Sequence, residues 1–348
     1  MHIDQGDDSQ KDEARRMLTD PAAIPKIFGL ATHEAFHFFP QKKWSRDTSN
    51  TTASRATPYP LLVEPRLARN QVIRALEAAT FGMQDGLGHA SYWYKKWKED
   101  HPAEATNIKH YDISEGSAEY IETVANIVAQ GYVFGSPQYQ TAMTEEIRKG
   151  SNKTTQSIDQ ESYRIGLLSG NLLDRKGTEW KTRIENGERP LDILLSNTPP
   201  IPESADPVLE HELRTSIENE NTQIQKSIGP FIQAFRGINT GKLFVPFSKF
   251  SGSTIYHGNY ALADFSHEIQ VKFSVQAHPT NGTLNAKSTT VAFVSGNSYC
   301  SEPGGILIIL PDGMPSPING RLQIESSQLS IDAPYPSLDS SGSVYCLR

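Results

Sequence analysis

Apolar residues in the first two thirds of the chain recur at three- and four-residue steps, which is the spacing of one face of a helix. The clearest of these segments are 67–82, 117–133, 162–173 and 222–235. Polar loops separate them, and they lack the β-branched alternation that is typical of strands. Residues 1–237 are therefore predicted to form a mainly helical domain.

The pattern changes near residue 241 to short, alternating or β-branched runs, which Gly, Pro, Asn and Ser interrupt. These runs are 242–247, 253–258, 268–277, 288–296, 304–311 and 321–332. They predict a C-terminal antiparallel β-sandwich over 238–348, so the fold class is α+β. The proline-rich segment 197–207 is predicted to be a connector that could act as a hinge.

A helix is predicted from about Pro21 to Phe39, and it contains the sequence His-Glu-Ala-Phe-His at 33–37. Asp20 and Pro21 are residues that favour the start of a helix, and Pro40 favours its end. We expect its apolar side chains to bury it in the domain core and make it rigid. They are Ile27, Phe28, Leu30, Phe36 and Phe38.

Two histidines four residues apart on a helix lie on the same face, so His33 and His37 can bind one metal ion. Catalytic zinc needs three protein ligands and an open position. Glu34 points off the histidine line and could take a proton from a water molecule in that position, as a general base. The alternative is an ordinary amphipathic helix with two surface histidines.

Three glutamates follow in the segment 112–126, where Ser114 is predicted to cap a helix that starts at Glu115. Glu115, Glu119 and Glu122 then fall on one face, at spacings of four and three. Such a stripe is often only a solvated face, and the apolar residues opposite it are consistent with that interpretation. Spacing alone does not decide whether Glu115 or Glu119 would reach a metal ion.

Taken together, HEAFH and the downstream sequence EGSAEY (115–120) resemble the gluzincin zinc metallopeptidases, whose second helix carries a Glu-Gly-x-Ala pattern. The resemblance covers residues 26–40 and 112–126. It implies a zincin-like catalytic domain that hydrolyses peptide bonds, with Glu115 as the third zinc ligand and Glu34 as the base. It also implies that Glu119 hydrogen-bonds a ligand histidine. The family usually has a β-sheet before the zinc helix, whereas mostly polar residues precede it here.

A peptidase also needs a hydrogen-bond donor for the developing oxyanion. Tyr163 is the preferred candidate, because it begins a helix in which Gly166 and Gly170 permit close packing. The other candidates are Tyr120, His110 and Tyr111.

Composition limits the classes of partner and location. The net charge of -7 disfavours nucleic-acid binding, and no apolar run is long enough for a transmembrane helix. The N-terminal 16 residues are polar and lack the apolar core of a signal peptide. Cys300 and Cys346 could form a disulfide or remain free thiols. A disulfide would indicate an oxidising location, so that the protein is secreted, periplasmic or on the cell surface.

Three functions are therefore considered. The first is a zinc metallopeptidase acting on a peptide or protein substrate. The second is a non-catalytic module that keeps a structural metal and contacts a protein or glycan surface through its β-sandwich. The third is a metal-dependent hydrolase of another bond, such as an ester or amide.

Overall fold

The computed structural model describes residues 19–44, 56–155 and 157–348. The polar N-terminal residues discussed above lie outside this description. The chain forms two compact units. The first contains Leu62–Ser216 and the described residues before Ser54, and the second contains Ile217–Arg348 and the short segment Arg55–Leu61. The predicted division at 237/238 follows the change from helix to strand, whereas the compact units divide about twenty residues earlier, inside a helix.

Helices dominate the first unit, and the periodic segments of the sequence all lie in them. The helices are α1 (Ile24–Phe38), α2 (Val63–Thr80), α3 (Gly86–Asp100), α4 (Pro102–Asn107), α5 (Lys109–Ala129), α6 (Pro137–Lys149), α7 (Ile158–Arg175), α8 (Lys181–Glu185), α9 (Pro190–Leu195) and α10 (Pro207–Arg236), which continues into the second unit. Short 3-10 turns flank α1 at Pro21–Ala23 and Gln41–Lys43.

The end of α1 is as predicted, whereas its start lies later than Asp20. The Asp20 side chain accepts a hydrogen bond of 2.9 Å from the backbone N–H of Ala22, but it caps the 3-10 turn that Pro21 opens, and the α-helix begins at Ile24. The helix ends at Phe38, and Pro40 follows its C-cap, Phe39. Local signals therefore placed the end of this helix and the turn before it.

The predicted burial of α1 was wrong for most of its large apolar residues. Phe28, Leu30 and Phe38 are 52%, 40% and 57% exposed, and the buried residues of the helix are Gly29 and His33. The reason is that α1 packs mainly on α5, through the face that carries the histidines. Its apolar side chains mostly point elsewhere.

The predicted cap at Ser114 was also wrong, because α5 begins five residues earlier, at Lys109. Ser114 lies inside the helix, and its hydroxyl donates a 2.8 Å hydrogen bond to the carbonyl of His110, one turn before it. Serine can form this bond in a helix as well as a cap, so the residue type did not decide between the two.

The second unit holds the strands. They are β1 (Thr57–Tyr59), β2 (Gly241–Pro246), β3 (Phe250–Ile255), β4 (Gly258–Leu262), β5 (Glu268–Ala277), β6 (Thr283–Tyr299), β7 (Glu302–Leu310), β8 (Arg321–Glu325), β9 (Leu329–Pro334), β10 (Ser337–Leu338) and β11 (Tyr345–Cys346). The α+β class and its order, helices before strands, are confirmed.

The detail of an antiparallel sandwich needs correction. Hydrogen bonds join the strands into one open mixed sheet, with the order β1-β4-β5-β6-β7-β2-β11-β10 and with β3, β8 and β9 as branches. Two pairs are parallel, β1 with β4 and β11 with β2. Alternation predicts strands but not their partners, which explains the difference.

A disulfide joins Cys300 to Cys346, which lies on β11. Within the described residues, no helix is both long and apolar enough to cross a membrane.

Candidate metal centre

Glycine lets α1 approach α5 closely. A Cβ atom at position 29 would lie 3.0 Å from the carbonyl oxygen of Glu122 and 3.2 Å from the Cβ of Asn126. Because such distances leave no room for a larger side chain, Gly29 holds the two helices near each other one turn before His33. This contact brings the histidines within reach of the α5 carboxylates.

A second glycine contact joins α5 to α7. A Cβ atom on Gly166 would overlap the Cα of Gly116, so the two backbones touch at this point. Gly116 follows Glu115 directly, and Gly166 lies one turn after Tyr163. Gly116, the glycine of the Glu-Gly-x-Ala pattern, therefore allows these two helices to come into backbone contact beside the candidate site.

Three side chains converge between α1 and α5. Glu115 Oε2 lies 3.3 Å from His37 Nε2 and 3.6 Å from His33 Nε2. Donor atoms that bind one zinc ion tetrahedrally at about 2.1 Å lie about 3.4 Å from each other. The three residues thus form a group that could hold a metal ion. We call this group the metal triad.

The triad is partly open. The side chains of His33 and Glu115 are 8% and 6% exposed, whereas that of His37 is 27% exposed. A small molecule can therefore reach the triad from the His37 side.

A polar side chain lies beside the second nitrogen of each imidazole. Glu122 Oε2 lies 2.9 Å from His33 Nδ1, which is an ion-pair contact. His37 Nδ1 lies 2.8 Å from the amide oxygen of Gln41, which accepts a hydrogen bond from that nitrogen. When Nδ1 carries the proton, the lone pair of a neutral imidazole is on Nε2, which faces the triad. Gln41 therefore holds His37 in the tautomer that presents Nε2 to the triad.

Gln41 also links the two helices. Its amide nitrogen donates a 2.7 Å hydrogen bond to the backbone carbonyl of Ser114, which directly precedes Glu115. The side chain is buried, at 8% exposure. One residue therefore orients His37 and ties it to the segment that presents the third member of the triad.

The carboxylates change the protonation of the histidines. Burial lowers the pKa of His33, but hydrogen bonds and charge from Glu115 and Glu122 outweigh this and raise it to about 10. The pKa of His37 is also raised, mainly by its hydrogen bond to Glu115. Without a metal ion, protons thus occupy the place where a cation would bind.

Glu119 lies close to the triad but is not in it. Its carboxylate belongs to a second group with His33 and Glu122, whose ligand atoms lie within 4.8 Å of one another. Burial, with help from the charge of Glu122, raises the pKa of Glu119 to about 7. Its predicted hydrogen bond to a ligand histidine stays a prediction, whereas Glu122 occupies that position on His33.

Tyr163 is the oxyanion candidate that lies beside the triad. Its ring centroid is 6.0 Å from that of His33, in an edge-on arrangement. The other candidates are elsewhere: Tyr120 donates its hydroxyl proton to Asp174, Tyr111 is buried, and His110 is exposed. Glu34 is exposed on α1, next to His33 in the sequence.

Sequence reasoning missed the roles of Glu122 and Gln41. Glu122 had a signal, since it shares a helical face with Glu115 and Glu119 at a spacing of three. Gln41 lies four residues after His37, but it follows Pro40 in a separate 3-10 turn, so helical spacing gave no reason to select it.

No family model, curated protein or solved structure matches this chain.

Proposed function

We propose that this protein is a zinc-dependent peptidase, in which His33, His37 and Glu115 hold the metal ion. The observation that carries the proposal is the convergence of two Nε2 atoms on one carboxylate oxygen, at nitrogen–oxygen distances of 3.3 and 3.6 Å that are close to tetrahedral spacing, with a polar side chain beside each Nδ1 atom. Two histidines and one glutamate form a ligand set that is used by catalytic zinc and leaves one position open.

We assign the roles of the other residues from their positions relative to His33 and His37. Zinc, when bound, would polarise the substrate carbonyl and lower the pKa of a water molecule to about 7. Glu34, exposed next to His33, would accept the proton of the attacking water. Tyr163, beside His33, would donate a hydrogen bond to the oxyanion. Glu122 and Gln41 would keep the two imidazoles in the orientation that catalysis needs.

The partial exposure of His37 favours a catalytic over a structural metal, because structural zinc is usually closed by four protein ligands. We also propose an extracellular, periplasmic or cell-surface location, which the disulfide supports. The alternative function is that of a non-catalytic module. In that case the strand-rich unit would contact a glycan or protein surface.

The test combines metal analysis with hydrolysis of a peptide library. Wild type should contain about one zinc ion per chain, as a single three-ligand site requires. His37→Ala and Glu115→Gln should lose it, whereas Glu119→Gln should keep it. His211→Ala is a matched control, because this exposed histidine lies on α10.

Glu34→Gln separates chemistry from metal binding. We expect it to keep its zinc and to lose hydrolysis by a factor of about 100 or more, as removal of a general base does. Full activity of a zinc-loaded Glu34→Gln would contradict the mechanism. Zinc-loaded wild type that cleaves ester or amide bonds but no peptide would indicate the other hydrolase, and zinc without any hydrolysis would favour the binding module. An absence of zinc after reconstitution would contradict both hydrolases, and the non-catalytic binding module would then be favoured.

A further inference from the structure

Helix α1 presents an apolar face on the side opposite the metal triad. Ile24, Phe28, Ala31, Ala35 and Phe38 follow one another at spacings of four, three, four and three, and all five are exposed. At about 100° per residue, this set lies about 180° from His33 around the helix axis. We call it the outer stripe.

The outer stripe is unusual because its large side chains are highly exposed to solvent. Ile24, Phe28 and Phe38 are 59%, 52% and 57% exposed, and the adjacent Phe39 is 65% exposed. Single exposed apolar residues are common on protein surfaces, but a contiguous row of them generally marks an interaction site.

The chain near α1 offers little to cover this face. The segment 45–55, which follows the helix, has Ala53 as its single apolar residue, and residues 1–18 have five, which are Met1, Ile3, Ala14, Met17 and Leu18. Burial of the whole stripe needs a larger apolar surface than these few side chains provide, because the gain scales with the apolar area removed from water. A second molecule is the better candidate.

The sizes of the side chains along the outer stripe allow it to pack against the outer stripe of a second copy. Its centre is small, with Ala31 and Ala35, and its ends are large, with Ile24 and Phe28 on one side and Phe38 on the other. Two such helices can cross closely at their alanines, and the large residues then pack on both sides of the crossing point. The same patch meets itself, which is the property of a twofold interface.

Charge selects an antiparallel orientation. Asp20 precedes the stripe, whereas Lys42 and Lys43 follow it. In an antiparallel pair, Asp20 of one copy approaches the lysines of the other at both ends. In a parallel pair, like charges would meet. The helix dipoles also favour the antiparallel arrangement.

From these features we infer that the outer stripe is a twofold dimer interface, in which α1 of one copy packs antiparallel on α1 of a second. The metal triad faces the other way, so the dimer does not depend on the proposed catalytic function. It would bury the aromatic residues of α1 and thereby make the helix that carries both histidines more rigid.

The first test is cross-linking through single cysteines. The two native cysteines are joined in a disulfide, so an added cysteine is the reactive thiol of the chain. Ala31→Cys and Ala35→Cys should be converted to covalent dimers by a short bis-maleimide. Ala103→Cys, an exposed alanine on α4, is the matched control and should stay monomeric. Equal cross-linking of all three variants would contradict the proposal.

The second test is sedimentation of the full chain without a cross-linker. Wild type should be dimeric, and Phe28→Asp should raise the dimer Kd by about 100-fold or more, because a charge would be buried without a partner. Asp20→Lys and the double variant Lys42→Asp/Lys43→Asp should each raise it by about threefold to tenfold, as rim charges do.

Combining the three charge changes restores opposite charges across the interface and should recover most of the wild-type affinity. The far-UV circular dichroism spectrum, measured in parallel, should stay unchanged in every variant and thus reports correct folding. Wild type that remains a monomer at about 100 μM, where a Kd of about 10 μM already gives mostly dimer, would overturn the inference. So would a charge-swapped triple variant that is no tighter than the variants from which it was built.

Discussion

Asp112 and Glu115 lie one turn apart on α5 and are equally buried, at 5% exposure each, yet their surroundings differ. Asp112 accepts hydrogen bonds of 2.8 Å from both Arg69 and the hydroxyl of Ser162, and one of 3.1 Å from Arg189. Glu115 faces His33 and His37, whose charges depend on protonation.

The charged groups around each carboxylate indicate whether it stabilises the fold or serves a binding function. Burial alone would raise the pKa of Asp112, but Arg69 and Arg189 outweigh it and hold this pKa below its usual value. Arginine is always charged, so this cluster is complete without any ligand. The protons on the histidines beside Glu115 can be exchanged for a metal ion. A buried carboxylate beside permanent cations therefore indicates a structural role, and one beside histidines indicates a binding role.

Removing Asp112 should have the largest effect and should act on stability. Asp112→Ala removes one carboxylate from Arg69, which keeps Glu161, and leaves Arg189 with Asp192 at 3.7 Å. The loss of this buried partner should lower the free energy of unfolding by about 3–5 kcal/mol. Urea denaturation measures it. Glu188→Ala, at the exposed pair with Arg183, is the control and should change the unfolding free energy far less, because exposed ion pairs contribute little. Equal losses in the two variants would contradict the distinction between the clusters.

Glu115→Gln should act on metal binding instead. We expect zinc affinity to fall by more than about 100-fold, since loss of a direct ligand exceeds the effect of an outer partner. The unfolding free energy of the metal-free protein should change much less than in Asp112→Ala. Competition with a chromophoric chelator gives the affinity, and the same urea titration gives the stability. If Glu115→Gln were as unstable as Asp112→Ala, the triad would be a structural cluster as well.

The outer partners of the histidines should have intermediate effects. Glu122→Gln and Gln41→Leu each remove a contact to one Nδ1 atom, and each should weaken zinc binding by about 10- to 100-fold. Glu119→Gln is the matched control from the same helix face. The cobalt-substituted protein provides a spectroscopic readout, because its absorption bands respond to ligand geometry. A larger loss in Glu119→Gln than in Glu122→Gln would restore Glu119 as the histidine partner.

The pH dependence of the metal-free protein should show the smallest effect. The pKa of His33 is raised from 6.5 to about 10 in the folded state. Its contribution to stability is therefore complete below pH 6.5 and is lost as the pH rises towards 10. Since the site is partly open, we expect a loss on the order of 1 kcal/mol over this range. His33→Gln should remove this part of the slope. Zinc affinity should change in the opposite direction and rise with pH, because binding releases protons.

Local signals predicted much of the site but not all of it. Asp20 placed the turn before α1 and Pro40 placed its end, and the four-residue spacing placed His33 and His37 on one face. Spacing could not choose between Glu115 and Glu119, because both lie on the face of α5 that approaches α1. That choice depends on the Gly29 contact, which sets the position of one helix along the other.

The exposed apolar residues of α1 show a second limit of prediction from the sequence. Periodicity predicts which residues share a face, but burial depends on what packs there. The same holds for β1, since a strand of three residues has no periodicity of its own and is defined by its pairing with Tyr260–Leu262.

That pairing has a consequence for how the chain is made. The partner of Thr57 in the sheet is Tyr260, so at 5–20 residues per second the ribosome finishes the partner strand about 10–40 s after β1 has been synthesised. Until then, the segment Arg55–Leu61 has been synthesised but the rest of the second unit has not. Release of the chain before β4 would leave this segment unpaired, and a fragment starting at Ile217 would lack an edge strand of its sheet. The second unit is therefore built from chain segments that are synthesised far apart in time.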